Sequence, residues 1–157
     1  MKVHLLEREQ LLPHPVERVF PFFAEARNLE QITPPLLGFE VVGEGPAEMR
    51  VGTLIQYRLS LHGLGVDWLT RIDEWEPGVR FVDQQLLGPY RLWHHTHSFE
   101  ARDGGTLMHD TVRYGMPLWP LGELAMPLVR RDLKRIFDFR RDAVDALIRA
   151  DPDFTRS

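Results

Sequence analysis

The sequence contains no cysteine, and this absence excludes several kinds of site at once. A chain without cysteine has no disulfide framework, no thiolate zinc site and no cysteine nucleophile. The G-x-S-x-G motif of many serine hydrolases is absent as well. Gly43, Gly45 and Gly52 lack both the spacing and the following helix of a phosphate-binding loop. Covalent hydrolysis and phosphate chemistry of these types are therefore not indicated.

The chain also lacks an excess of positive charge and any long apolar run. Its 157 residues carry 19 basic and 23 acidic side chains, a net charge of −4 with neutral histidine. That balance argues against a nucleic-acid surface, whose affinity comes largely from Lys and Arg on phosphates. No segment approaches the roughly 20 apolar residues that cross a bilayer, and MKVHLLEREQLLPHP lacks the apolar stretch of a signal peptide. We therefore expect a cytoplasmic protein with no nucleic-acid partner and no stable membrane insertion.

The first third of the chain predicts one strand followed by helical structure. Residues 2–12, KVHLLEREQLL, have the composition of a strand. In residues 13–35, apolar side chains recur at helical spacing, namely Val16, Val19, Phe20 and Phe23. Pro21 falls in the middle of this pattern, and a proline inside a helix removes a hydrogen bond and clashes with the preceding turn. We therefore expect two short helices here rather than one longer helix.

The remainder predicts a meander of strands and then a long helix. Between about 37 and 115, short runs of β-branched and aromatic residues alternate with Gly and Pro turns, which is typical of antiparallel strands. The stretch before the last helix is apolar and is expected to pack in the core; it includes Leu118, Trp119, Leu121, Leu124 and Met126. Residues 128–149 carry an apolar stripe that predicts one amphipathic helix: Val129, Leu133, Ile136, Phe137, Val144, Leu147 and Ile148.

This order of elements predicts an α+β fold. A strand, two short helices, about six strands and a long helix fit a curved seven-stranded antiparallel sheet wrapped around a C-terminal helix. We expect residues 1–150 to form one domain, with 151–157 as a short tail.

The same order, together with several stretches of sequence, resembles the START-like superfamily, also called SRPBCC or helix-grip and including the Bet v 1-like proteins. The stretches are VERVFPFFAEARNLEQITPP, FVDQQLLGPYRLWHHTHSFE, GGTLMHDTVRYGMP and RRDLKRIFDFRRDAV, and the likeness spans about residues 3–148. They are most similar to a bacterial branch described as cyclase/dehydrase-like or ligand-binding. The resemblance implies a hydrophobic cavity between the sheet and the long helix. It does not fix the chemistry, because one fold can serve many functions.

The histidine-rich stretch YRLWHHTHSFEARDGGTLMHDTVRY, residues 90–114, predicts the inner wall of such a cavity. Side chains alternate between the faces of a strand, so His95 and His97 share the face of the apolar Trp93, and His94 points the other way. A two-residue turn at Asp103-Gly104 would place His97 opposite Asp110, and a turn at Gly104-Gly105 would place Phe99 there. Either register keeps the inner sets of the two strands on one side. The predicted inner cluster is Trp93, His95, His97, Asp110 and Tyr114.

Three interpretations of this cluster stay open at this stage. It is a polar network that satisfies itself within the core, a site that holds the polar end of an apolar ligand, or a metal site of two histidines and Asp110. We expect no metal and no cofactor, since no further ligand-type residue is clearly placed. Asp83 and Gln85 are added as candidate ligand-binding residues, although the Gly88-Pro89 turn leaves their facing undecided.

These residues support several functions. The first hypothesis is binding of a hydrophobic small molecule, such as a lipid, isoprenoid or polyketide-like compound, by a monomer or homodimer. The second is a cyclase/dehydratase-type enzyme in which His95 or His97 works with Asp110 as acid and base. The third is an interaction module whose cavity is filled by side chains.

Overall fold

The computed structural model describes residues 1–46 and 48–150, which form one antiparallel sheet against a long C-terminal helix. The strands are β1 (His4–Leu12), β2 (Glu40–Val41), β3 (Leu54–Leu61), β4 (Leu64–Glu76), β5 (Arg80–Leu87), β6 (Leu92–Arg102) and β7 (Gly105–Gly115). The helices are α1 (Val16–Ala24) and α2 (Met126–Ala150), with 3₁₀ segments at Ala26–Glu30, Pro35–Leu37 and Leu121–Ala125. The sheet order is β1-β7-β6-β5-β4-β3-β2, so the first two strands lie at opposite edges. The predicted α+β helix-grip architecture is confirmed, and the expected tail 151–157 lies outside the described residues.

The connection between β1 and β2 differs in one detail from the prediction. Helix α1 continues through Pro21 to Ala24, so the expectation that this proline divides the helix is wrong. Pro21 is exposed, and the one backbone hydrogen bond that it removes lies on the solvent side. The same turns bury Val19, Phe20, Phe22 and Phe23 against the sheet, and this apolar burial outweighs the lost bond. The chain leaves helical geometry at Glu25 and continues as 3₁₀ structure.

The β6–β7 hairpin settles the register that the sequence left open. Asp103 and Gly104 have positive φ angles of 51° and 79°, which is the backbone of a two-residue turn with both central residues left-handed. His97 therefore pairs with Asp110, and Trp93 pairs with Tyr114. Of the two registers considered, the structure adopts the one with the turn at Asp103-Gly104.

Helix α2 places its apolar stripe on the concave side of the sheet. Leu133, Phe137, Val144 and Ile148 are buried there, and they join aromatic residues of α1 and the central strands in two core clusters. The apolar stretch before the helix is mostly exposed. Its member Met126 is buried, whereas Leu118, Trp119, Leu121 and Leu124 are more than half exposed, so the expectation of core packing fails for these four. No helix in the described part of the chain is long and apolar enough to span a membrane.

Candidate functional site

Strands β6 and β7 carry the predicted inner cluster, and all five of its side chains lie in the interior. Trp93, His95, His97, Asp110 and Tyr114 are each less than a tenth exposed. His94 and His109 lie on the opposite face and are half-buried. The predicted facing of the two strands is confirmed. A binding or catalytic role for these residues stays a prediction.

Two histidine–carboxylate pairs run through the cluster. His95 Nε2 lies 2.8 Å from Asp110 Oδ1, and His97 Nε2 lies 2.6 Å from Asp83 Oδ2. The two imidazole rings stack with their centroids 3.6 Å apart, and Phe81 stacks on the His97 ring at 4.1 Å. An ionised carboxylate only accepts hydrogen bonds, so in both pairs the histidine Nε2 is the donor. Each carboxylate thereby fixes the tautomer of its histidine.

Asp83 reaches His97 because β5 pairs with β6 in a register that places it opposite His95. The sequence left the facing of Asp83 undecided, and the structure turns its side chain inward. Thr70 of β4 lies on the other side of the same carboxylate, with its hydroxyl 3.5 Å from Asp83 Oδ1. Side chains of both neighbouring strands, β4 and β6, therefore contact this one acid.

Burial and mutual contact set the protonation of the cluster. Burial and the neighbouring His95 lower the pKa of His97 to about 4, although Asp83 and Asp110 act in the opposite direction. Burial alone would raise the pKa of Asp83, but the hydrogen bond from His97 holds it below its ordinary value. The pKa of Asp110 is likewise lowered, because Arg140 and His95 outweigh its burial. At neutral pH the cluster holds two ionised carboxylates and a neutral His97.

Helix α2 adds Arg140, a residue that the sequence analysis missed. Arg140 is only 8% exposed, and its Nη2 lies 3.5 Å from Asp110 Oδ1. Its guanidinium also lies over the rings of Phe23 and Phe137, at 5.5 and 5.9 Å from their centroids. The sequence contains an indication of this position. Residue 140 is three after Phe137 and four before Val144, so it lies on the apolar stripe, where a charged side chain needs a buried partner.

A cavity of about 160 Å³ separates the sheet from α2 beside these groups. Most of its wall is aliphatic or aromatic and includes Leu59, Trp68, Trp93, Leu133, Ile136 and Phe137. The polar part of the wall is formed by Asp83, His95, His97 and Arg140. We call these four residues, together with Asp110 behind them, the polar cluster. An apolar pocket with a few convergent polar groups is the usual form of a small-molecule site.

Three of the predicted site residues do not line this cavity. Asp110 lies behind His95 and borders a smaller space of about 50 Å³ next to Arg8 and Arg141. Tyr114 stacks on His4 at 5.5 Å and packs near Trp93. Gln85 uses both ends of its amide on the backbone of Tyr90, with Nε2 donating to the carbonyl at 2.6 Å and Oε1 accepting from the N–H at 3.1 Å. Gln85 therefore closes the β5–β6 turn.

The ring geometry does not suit a metal. Ligand atoms of Asp83, His95 and His97 lie within 4.8 Å of one another, so Asp83 rather than Asp110 would complete a two-histidine set. A metal ion bonds in the plane of an imidazole at about 2 Å. The two rings stack with an angle of 25° between their planes, so their in-plane nitrogens do not converge on one point. The cluster has the geometry of a hydrogen-bonded network, and we assign no metal to it.

Comparison with protein-family models gives a match over most of the chain. The family model described as "Polyketide cyclase / dehydrase and lipid transport" matches residues 12–139. A search of curated protein sequences finds no match.

Solved structures with the same fold extend over nearly the whole chain. An aromatase/cyclase, Zhui, from a Streptomyces species is 17% identical with a TM-score of 0.74, covering 96% of this chain and 97% of its own. Ara h 8.0201 is 20% identical with a TM-score of 0.65, covering 92% and 99%. A protein from Thermus thermophilus is 24% identical with a TM-score of 0.65, covering 91% and 98%. At these identities the likeness shows the fold.

Proposed function

Because the chain belongs to the polyketide cyclase / dehydrase and lipid transport family, we propose that it binds a hydrophobic small molecule in the cavity between the sheet and α2. The ligand class is a lipid, an isoprenoid or a polyketide-like compound. The observation that carries this proposal is the cavity of about 160 Å³, whose wall is mostly aliphatic and aromatic and carries its charged and histidine side chains at the polar cluster. An apolar cavity of about 150 Å³ is large enough to bind benzene. The third hypothesis required a cavity filled by side chains, and this cavity does not support it.

Native mass spectrometry of the protein purified from its own host tests the binding function. We expect a co-purifying small molecule that denaturation releases. The variant Leu59→Trp places an indole in the cavity from a buried position on β3 and should lose that mass. The control Leu54→Trp makes the same replacement at an exposed position of the same strand and should retain it. A wild-type protein without a bound molecule, which also binds no apolar probe, would contradict the proposal.

The second candidate is an acid–base enzyme of the cyclase/dehydratase type. It is favoured by the hydrogen bond between His97 and Asp83, both of which line the cavity. A histidine whose tautomer is held by a carboxylate can take a proton from carbon next to a carbonyl. Of the two predicted pairings with Asp110, that of His95 has its hydrogen bond at 2.8 Å, whereas His97 is bonded to Asp83 instead. Because Asp110 does not line the cavity, His97 with Asp83 is the pair that lies wholly on its wall.

Exchange of the central C–H protons of benzoylacetone with deuterium measures this proton transfer directly. We expect the wild-type protein to accelerate exchange and His97→Gln to lose the acceleration while still binding the compound. His109→Gln, on the outer face, should behave as the wild type. Exchange no faster than in buffer would exclude the enzyme and leave the binding function intact.

A further inference from the structure

Arg140 is a cation at a core position, and its hydrogen-bonding capacity is largely unused. Its Nε and Nη2 atoms are buried and have no hydrogen-bond partner among residues 1–46 and 48–150. The contact between Nη2 and Asp110 Oδ1, at 3.5 Å, is an ion pair without hydrogen-bond geometry. Buried N–H groups without a partner are costly, and a guanidinium carries five such donors.

The guanidinium is held in place by its surroundings. The rings of Phe23 and Phe137 lie within 6 Å of its central carbon, which favours a cation over their faces. Asp110 accepts a hydrogen bond from His95 through the same oxygen that faces Arg140. Arg140 is thus positioned by packing and charge, and its side chain is part of the cavity wall.

The charge of the polar cluster limits which acceptors the N–H groups of Arg140 can bind. Asp83 and Asp110 supply two carboxylates against the single guanidinium, and His97 is neutral at neutral pH. Even a proton on His95 would bring the total only to zero. A ligand carboxylate would therefore meet two fixed negative charges with no surplus positive charge to offset them. An uncharged oxygen acceptor can take the hydrogen bonds without that repulsion.

We propose that Arg140 anchors the ligand by donating to an uncharged carbonyl oxygen, so that the site selects neutral carbonyl-bearing hydrophobic molecules over carboxylates. This proposal rests on the binding function proposed above and names the class of ligand. The apolar wall accommodates the hydrocarbon part, and the guanidinium of Arg140 binds the oxygen. Arg140 is a specificity-determining residue in this view.

Three probes of matched size test the proposal, namely acetophenone, ethylbenzene and benzoate. Binding is followed by the fluorescence of Trp68 and Trp93, which line the cavity, and by the ¹⁵N NMR signal of the Arg140 Nε–H group. Acetophenone should bind the wild-type protein about tenfold more tightly than ethylbenzene, as expected for a hydrogen bond to a charged donor. Benzoate should bind more weakly than acetophenone. The Arg140 Nε–H signal should shift with acetophenone and not with ethylbenzene.

Two variants test whether the preference for acetophenone over ethylbenzene depends on Arg140. Arg140→Met replaces the guanidinium with an apolar side chain and should abolish the preference for acetophenone over ethylbenzene. The control Arg141→Met changes the next residue of α2, which is about half exposed, and should leave the preference unchanged. Arg140→Met removes the cation that faces the buried Asp110 carboxylate, so this variant can lose stability. If it does not fold, the affinities of the wild-type protein for the three probes and the NMR shift of Arg140 decide the question.

The outcomes separate the two proposals. Ethylbenzene binding as tightly as acetophenone, or benzoate binding best, would overturn the role of Arg140 and leave the binding function standing. A preference that survives in Arg140→Met would overturn it as well. Failure of all three probes to bind would overturn the binding function, and the role of Arg140 with it.

Discussion

At the scale of single residues, the four histidines of β6 and β7 differ in their hydrogen-bond partners and in their burial. His95 and His97 each bond a carboxylate in the interior. His94 and His109 are half-buried on the other face, and His109 lies no closer than 4.0 Å to Glu7 and Glu9. The residues share a type and two strands, so they form a matched series.

We expect His95→Ala and His97→Ala each to lower the free energy of unfolding by about 1–3 kcal/mol, because each removes the histidine donor from a carboxylate in the protein interior. His94→Ala and His109→Ala should stay within about 0.5 kcal/mol of the wild type, as surface changes usually do. Urea denaturation of the four variants measures the difference. Equal losses at inner and outer positions would show that the two strands are assigned to the wrong faces.

The protonation of His97 predicts a pH dependence of stability. Its pKa in the folded protein is about 4, against about 6.5 for an exposed histidine. Between these values the unfolded chain binds a proton that the folded protein does not, so stability falls as the pH drops from about 6.5 to 4. Asp83 and Asp110, whose pKa values are lowered, extend the loss to more acidic pH.

Unfolding measured at a series of pH values should therefore show a slope between pH 6.5 and 4 that His97→Gln reduces. His109→Gln, at a half-buried position of the outer face, should preserve the wild-type slope. A slope that is the same in His97→Gln and the wild type would mean that another group accounts for the acid sensitivity.

At the scale of elements, the turn between β6 and β7 sets which side chains meet. A shift by one residue would send every inner side chain of one strand to the solvent face. The positive φ of Asp103 and Gly104 stabilises the observed register, and Gly104 adopts this conformation without strain because it has no Cβ.

Gly104→Ala should cost roughly 1–2 kcal/mol, since an alanine at this φ brings its Cβ close to the following carbonyl. The added methyl group meets no other atom within 4 Å, so the cost comes from the backbone alone. Gly65→Ala is the control, because that glycine has ordinary φ and open space around it. Thermal melts of both variants compare them, and equal stability of the two would argue against a left-handed turn at 103–104.

At the scale of the whole molecule, we expect ligands to enter the cavity beside the β3–β4 turn. A surface depression there shares Leu37, Leu61 and Ile136 with the cavity wall. His62 of the turn and Asp132 of α2 both line this depression, and His62 Nε2 lies 2.6 Å from Asp132 Oδ2. An exposed pair of this kind adds little to stability, but it joins the β3–β4 turn to α2 at the expected entrance.

Asp132→Ala should speed both binding and release of acetophenone, with a change in stability below about 1 kcal/mol. Stopped-flow tryptophan fluorescence measures the two rates. Asp142→Ala removes an exposed acid of the same helix that faces Arg141 instead of the entrance, and it should leave both rates unchanged. Rates that are unaffected by Asp132→Ala would show that ligands enter elsewhere.

Sequence periodicity by itself determined the order of elements, the inner faces of β6 and β7, and the long helix. These properties are local, because a side chain's face follows from its position in a strand or helix of known period. The same local reasoning placed His95, His97 and Asp110 together, since a hairpin of either register keeps them on one side.

Only the tertiary structure decided which acid meets which histidine. His97 bonds Asp83 because β5 pairs with β6 in a register that a turn containing Gly88 and Pro89 sets and that no periodicity reveals. Arg140 joins the cluster because α2 packs across the concave side of the sheet. This packing brings its guanidinium over the ring of Phe23, which is more than a hundred residues earlier in the sequence. Pairing across a sheet and packing of a helix upon it are long-range events, so the composition of the polar wall follows from the assembled fold.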